Sequence, residues 1–89
     1  MVTQVSIIPT QTAQLIRRQN VSALTGLARS TIYRNISRGL FPKPVSIGGD
    51  RVAWPLNEVV AINQARIAGK SDDEIKKLVD QLVSERARG

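Results

Sequence analysis

Eighty-nine residues carry 13 basic and 7 acidic side chains, a net charge of +6, with no histidine and no cysteine. Such a length allows one domain at the small end of what buries its own core. It leaves no room for a substrate domain beside a cofactor domain, or for an effector domain on a regulator. Without cysteine there are no disulfides and no thiolate metal ligands; without histidine the commonest general base and the imidazole ligands are gone. A binding protein rather than an enzyme is expected, with no cofactor, metal or small-molecule substrate. The lack of disulfides fits a reducing compartment. No apolar run approaches a membrane span and the N-terminus has no signal pattern, so a cytoplasmic location away from membranes is expected.

The positive charge is concentrated. Residues 15–70 hold nine basic and two acidic side chains, a net +7, whereas residues 71–89 hold four basic and five acidic, a net −1. A one-sign field over a small domain is the footprint of a polyanion binder, although a membrane surface or an acidic protein also attracts it.

In chain order, residues 1–14 are polar, rich in Thr and Gln and broken by Pro9, the pattern of a flexible tail. Leu15-Ile16-Arg17 fits a short strand. Residues 20–24 fit a first short helix, Gly26 a sharp turn, and T-G-L-A-R-S-T-I-Y-R-N-I-S-R from Thr25 to Arg38 a turn followed by an arginine-rich second helix. Val21, Leu24, Leu27, Ile32 and Ile36 supply the apolar residues that lock these helices together. Arg29, Ser30, Thr31, Tyr33 and Arg34 are left to reach outward, as in the second helix of a helix-turn-helix. The same residues also describe an ordinary αα-hairpin with a solvated basic face. Two N-x-S triplets, at Asn20 and Asn35, fall within these helices and are read as coincidence.

Gly39 is the expected left-handed residue ending the second helix. Pro42 and Pro44 then bar further helix. Val45, Ile47, Val52 and Trp54 flank Gly48-Gly49-Asp50, the pattern of a β-hairpin. A hairpin directly after a helix-turn-helix is a wing. Arg51 at its tip either reaches a DNA groove or phosphate, or belongs to a plain structural hairpin and is solvated or holds Asp50. Trp54 belongs to the core, and Pro55 suits the first turn of a third helix. There Leu56, Val59, Val60, Ile62 and Ile67 form the apolar stripe, and Asn57, Glu58, Asn63, Gln64 and Arg66 the polar remainder. Ala68-Gly69-Lys70 ends it. Ser71 and Glu74 form a capping box opening an amphipathic helix, with its stripe at Ile75, Leu78, Val79, Leu82 and Val83. That stripe either packs back on the domain or mediates dimerisation or contact with another protein. Residues 84–89 are expected to fray.

The expected fold is mainly α with a small β-hairpin wing, a winged helix-turn-helix. Its divisions are a tail (1–14), a DNA-binding domain (15–67) and a C-terminal amphipathic helix (68–89). The run T-G-L-A-R-S-T-I-Y-R, then F-P-K-P-V, R-V-A-W-P and E-V, resembles the AlpA-like group of small winged-helix proteins. These are related to phage and genomic-island excisionases, and more distantly to the MerR-type DNA-binding head. The resemblance covers residues 15–66. It implies double-stranded DNA as partner, with bending of attachment-site DNA so that an integrase, a tyrosine recombinase, excises rather than inserts. It also implies transcriptional control of an integrase gene as the alternative role, and a place at the nucleoid.

It further places Arg29, Ser30, Thr31, Tyr33 and Arg34 on the DNA face of the second helix, and Arg51 on the wing. Arginine donates two parallel hydrogen bonds to guanine, so Arg29 or Arg34 is the expected sequence reader. Ser30 and Thr31 suit phosphate, or for the Thr methyl, thymine. Tyr33 either reaches out or covers the core edge and offers only its hydroxyl. Arg17, Arg18, Arg38 and Lys43 extend the electrostatic track; each taken singly is also an ordinary solvated cation. Ala28 stands where the family has a capping Ser, leaving Thr25 or water to substitute. One small winged helix reads a short stretch, so specificity requires several copies on DNA or help from a partner. A hydrolase or nuclease lacks the residues, and an adaptor docking an acidic protein is the remaining reading.

Overall fold

In a computed structural model that describes residues 13–87, seven elements follow one another: β1 (Leu15–Ile16), α1 (Arg18–Thr25), α2 (Arg29–Ser37), β2 (Val45–Gly48), β3 (Arg51–Pro55), α3 (Leu56–Ile67) and α4 (Asp72–Arg86). The tail expected at residues 1–14 lies, but for its last two residues, outside the described residues. Four helices and a small antiparallel sheet make a mainly α, winged-helix architecture.

The sheet order is β1-β3-β2, with β3 central. Leu15 pairs with Pro55 and Ile16 with Trp54, and the Leu56 amide donates to the Gln14 carbonyl at 2.8 Å. On the other side Val45 faces Ala53, Ser46 faces Val52 and Gly48 faces Arg51, leaving Ile47 as the extra residue of a bulge. A bulge sharpens local twist; here it turns the half-exposed Ile47 out to solvent at the hairpin tip. Arg17 is not the third strand residue the sequence suggested. It is the extended N-cap of α1, which begins at Arg18 rather than Asn20.

Trp54, Phe41, Ile32, Ile75, Val21 and Val59 are fully enclosed, and Ile16, Leu40, Ile62 and Val79 complete the core. The Phe41 ring meets Trp54 edge to face, with centroids 6.4 Å apart. The indole N–H, a donor that is costly to bury unpaired, bonds the Pro42 carbonyl at 2.9 Å. Ile75 and Val79 place the face of α4 in this same core, with Leu78, Leu82 and Val83 packed beside them.

Several expectations need correction. Of the apolar stripe expected on α3, Val59 and Ile62 are buried, whereas Val60 is half-exposed and Ile67 is 86% exposed. At about 100° per residue, Val60 sits about a quarter-turn from Val59 and Ile67 about 140° round from Ile62, so neither can share their face. Glu58, only about 40° from Ile62 by the same geometry, is turned inward and is 3% exposed. Leu24 is 47% exposed instead of locking α1 to α2. Val21 is the single buried residue of that eight-residue helix, and Leu27, in the turn, packs on the core in place of Leu24. Residues 84–86 do not fray: they continue α4, and Arg86 is anchored at 2.6 Å to Glu58.

Candidate nucleic-acid interface

The turn between α1 and α2 is held by side chains as well as by backbone. Gly26 adopts φ +76°, and its amide donates to the Ser22 carbonyl at 2.8 Å. The Thr25 hydroxyl donates to the Val21 carbonyl at 2.7 Å and accepts from the Leu27 amide at 3.2 Å. From α3, the Asn63 amide donates to the Leu24 carbonyl at 2.9 Å. Helix ends leave carbonyls without intrahelical partners; the bonds to Ser22 and Leu24 use two of them, and with the Thr25 bonds they fix the angle at which α2 departs.

Helix α2 then opens without a side-chain cap, because Ala28 occupies the N-cap position. Thr25 does not substitute, since its oxygen is taken by Leu27. The first-turn amides therefore have no side-chain acceptor, and no acidic residue stands in that turn. At its far end α2 closes in a Schellman motif: the Gly39 amide bonds the Ile36 carbonyl at 3.1 Å and the Leu40 amide bonds Asn35 at 2.8 Å. Gly39 has φ +78° there, and Leu40 is buried beneath it.

Ile32 and Ile36 point α2 at the core. Diametrically opposite, by helical spacing of about 100° per residue, lies a ridge of Ser30, Arg34 and Arg38, all exposed. Arg29 and Tyr33 lie on one flank and the half-buried Thr31 on the other. Tyr33 rests edge to face on Trp54, at 6.3 Å between centroids, while remaining 39% exposed. Its ring is thus pinned to β3, and the Arg29–Tyr33 flank of α2 faces the sheet that carries the wing.

Arg51 opens β3 at the hairpin tip, exposed and opposite Gly48. It does not hold Asp50: among the described residues the ion pairs are Arg66–Asp72 and Arg86–Glu58. Arg17, Arg29, Arg34, Arg38, Lys43 and Arg51 are accordingly exposed cations without a carboxylate partner among the described residues, and Arg18 is a partly exposed one. Arg17 and Arg18 border a shallow polar depression at the start of α1. Lys43 sits in the segment joining α2 to β2. Arg66 and Arg86 are spoken for, which removes them from any electrostatic track.

Asn63, Glu58 and Arg86 escaped the sequence reading of the site, and Thr25 entered it only as a substitute cap for α2, not as the brace of the turn. For Thr25 a signal existed, as a hydroxyl beside a turn glycine. Asn63 and Arg86 act across 39 and 28 residues of chain, where no local pattern reports them. Among the described residues no group of acidic side chains is arranged to hold a metal ion, and no helix is long and apolar enough to cross a membrane.

The family described as "Prophage CP4-57 regulatory protein (AlpA)" matches residues 14–66, from β1 to the last turn of α3. The chain belongs to the AlpA family. This is a DNA-binding family of phage regulatory proteins, and the match contains every element of the helix-turn-helix and the wing, leaving α4 outside. The AlpA-family chain is also similar to "Uncharacterized protein ORF88" of Enterobacteria phage P4, with 49% identity over 57 residues. That alignment covers 64% of this chain and 65% of the phage protein. No solved structure matches this chain.

Proposed function

We propose that this AlpA-family protein binds double-stranded DNA sequence-specifically and serves as a recombination directionality factor, an excisionase. In this reading α2 enters the major groove, with Arg34 at the centre of its outer ridge reading guanine through two parallel hydrogen bonds. Arg29, Tyr33 and the uncapped first-turn amides hold phosphate on the sheet side, where a helix N-terminus favours anions. Arg51 follows the adjacent minor groove. Arg17, Arg18, Arg38 and Lys43 add sequence-independent attraction. The observation that carries the proposal is the unpaired ridge of Ser30, Arg34 and Arg38 opposite the buried Ile32 and Ile36.

The excision role rests on the AlpA-like resemblance to excisionases. Bending attachment-site DNA brings integrase-bound arms together, and the integrase, not this protein, breaks the strands. Several copies on repeated sites, or contact with the integrase, supply the specificity that one short helix lacks. The work takes place at the nucleoid. A second reading, transcriptional control of an integrase or neighbouring gene, is favoured by the regulatory description of the matched family.

An excision assay on the integrated element, paired with footprinting around the attachment site, separates the two. Loss of excision with integrase levels held constant, together with protection beside the attachment site, supports the directionality role. Protection confined to a promoter, with excision unchanged, refutes it.

A further inference from the structure

Helix α4 lies outside the matched residues 14–66, yet its last residue reaches the segment that joins the recognition helix to the wing. The Arg86 guanidinium donates through Nε and Nη2 to both oxygens of Glu58, at 2.9 and 2.6 Å. Nη2 also donates to the Lys43 carbonyl at 2.7 Å. The Glu58 side chain is 4% exposed, so two parallel charge-assisted bonds fix the plane of the guanidinium. The Lys43 carbonyl is then braced by a rigid fork rather than a flexible side chain.

Other bonds at this segment fix something different. Trp54, on the wing's central strand, holds the Pro42 carbonyl and packs against Phe41. These contacts tie the segment to the sheet. Arg86 ties the next residue, the last but one before β2, to the α3–α4 pair.

We propose that Arg86 is a positioning residue for DNA binding: by bracing the Lys43 carbonyl from α4 it sets where the wing, and Arg51 on it, stands relative to α2. The proposal rests on the DNA-binding reading above. Lysine at position 86 keeps a positive charge beside Glu58 but lacks the planar fork. It therefore releases Lys43 without leaving a buried carboxylate unpaired.

The test measures affinity for a specific duplex, and its salt dependence, for the wild type, Arg86→Lys, Arg51→Ala and the double variant. Arg34→Ala, alone and with Arg86→Lys, is the control. Trp54 emission confirms that each is folded. Arg86→Lys is expected to weaken binding by about 3- to 10-fold and to lower the salt slope as Arg51→Ala does. The double variant should bind no more weakly than Arg51→Ala alone, whereas losses from Arg34→Ala and Arg86→Lys should multiply. Unchanged affinity in Arg86→Lys, or losses that multiply with Arg51→Ala, overturns the proposal while leaving DNA binding standing. No salt-dependent binding by the wild type removes the DNA-binding reading and the proposal together. If Arg86→Lys does not fold, Glu58→Gln, which frees the guanidinium from its charged anchor, must show the same coupling to Arg51 or the proposal fails.

Discussion

The angle between α1 and α2 depends on one left-handed residue, and the cost of changing it follows from geometry. Gly26 has φ +76°, and a Cβ placed there would meet no heavy atom within 4 Å. The penalty for Gly26→Ala is thus wholly a matter of backbone conformation. An L-residue in the left-handed region costs about 1–2 kcal/mol, offset by about 0.4–1 kcal/mol from restricting the unfolded chain. The net destabilisation is about 1 kcal/mol. D-Alanine at the same position prefers this φ and keeps the unfolded-state gain, so it should stabilise by about 0.4–1 kcal/mol. Urea denaturation followed by emission of Trp54, the sole tryptophan and fully buried, reads both variants. With a denaturant slope of about 1 kcal/mol per molar, the L-variant should lose about 1 M in midpoint and the D-variant gain about 0.5–1 M. Equal destabilisation by both would mean that side-chain space, not φ, limits the turn, and would refute the reasoning.

Arg34→Ala should weaken binding to a specific duplex by about 1–3 kcal/mol and binding to random duplex far less; equal losses in competition gel shifts would make Arg34 a phosphate contact only. Arg86→Ala leaves the buried Glu58 carboxylate without its cation and should cost about 3 kcal/mol, whereas Glu58→Leu with Arg86→Met should fall within about 1 kcal/mol of the wild type. Denaturation of the three proteins checks this, and an equal loss in the double variant would point to packing instead of charge. In the capping box, the Ser71 amide donating at 2.9 Å, followed by the Ser71 hydroxyl, holds the Glu74 pKa below the usual carboxylate range. A lowered pKa contributes stability that is complete above the unfolded-state value and is lost as pH falls through the folded one. Wild type should therefore weaken relative to Glu74→Ala below the usual carboxylate range, and parallel acid titrations of the two would contradict the assignment.

The parts of this fold that were legible in the sequence are those with local signals. Gly26 and Gly39 bracket α2 because only a left-handed residue continues the chain there. Gly48-Gly49-Asp50 between β-formers marks the hairpin, and Ser71 with Glu74 marks the start of α4. What misled was composition without a face. Val60 and Ile67 are apolar but point away from Val59 and Ile62, and Glu58 is charged but turned inward. Its burial depends on Arg86, from a chain end whose own sequence reads as frayed. For the candidate interface, helical spacing alone places Ser30, Arg34 and Arg38 opposite Ile32 and Ile36. Which flank of α2 faces the wing was illegible, because it is set by Tyr33 resting on Trp54, a contact across 21 residues of chain.

The central claim is that the unpaired cations around α2 and the wing meet a DNA backbone. Fluorescence anisotropy of a labelled attachment-site duplex, titrated across salt concentrations, tests it most directly. Log affinity falls by about 0.9 per phosphate contact for each tenfold rise in salt. With about four to six of these cations engaged, the expected slope is about −4 to −5, falling by about 1 when a phosphate-contacting cation is removed. A slope near zero, or a slope unmoved by joint replacement of Arg29, Arg34 and Arg51, would contradict the claim.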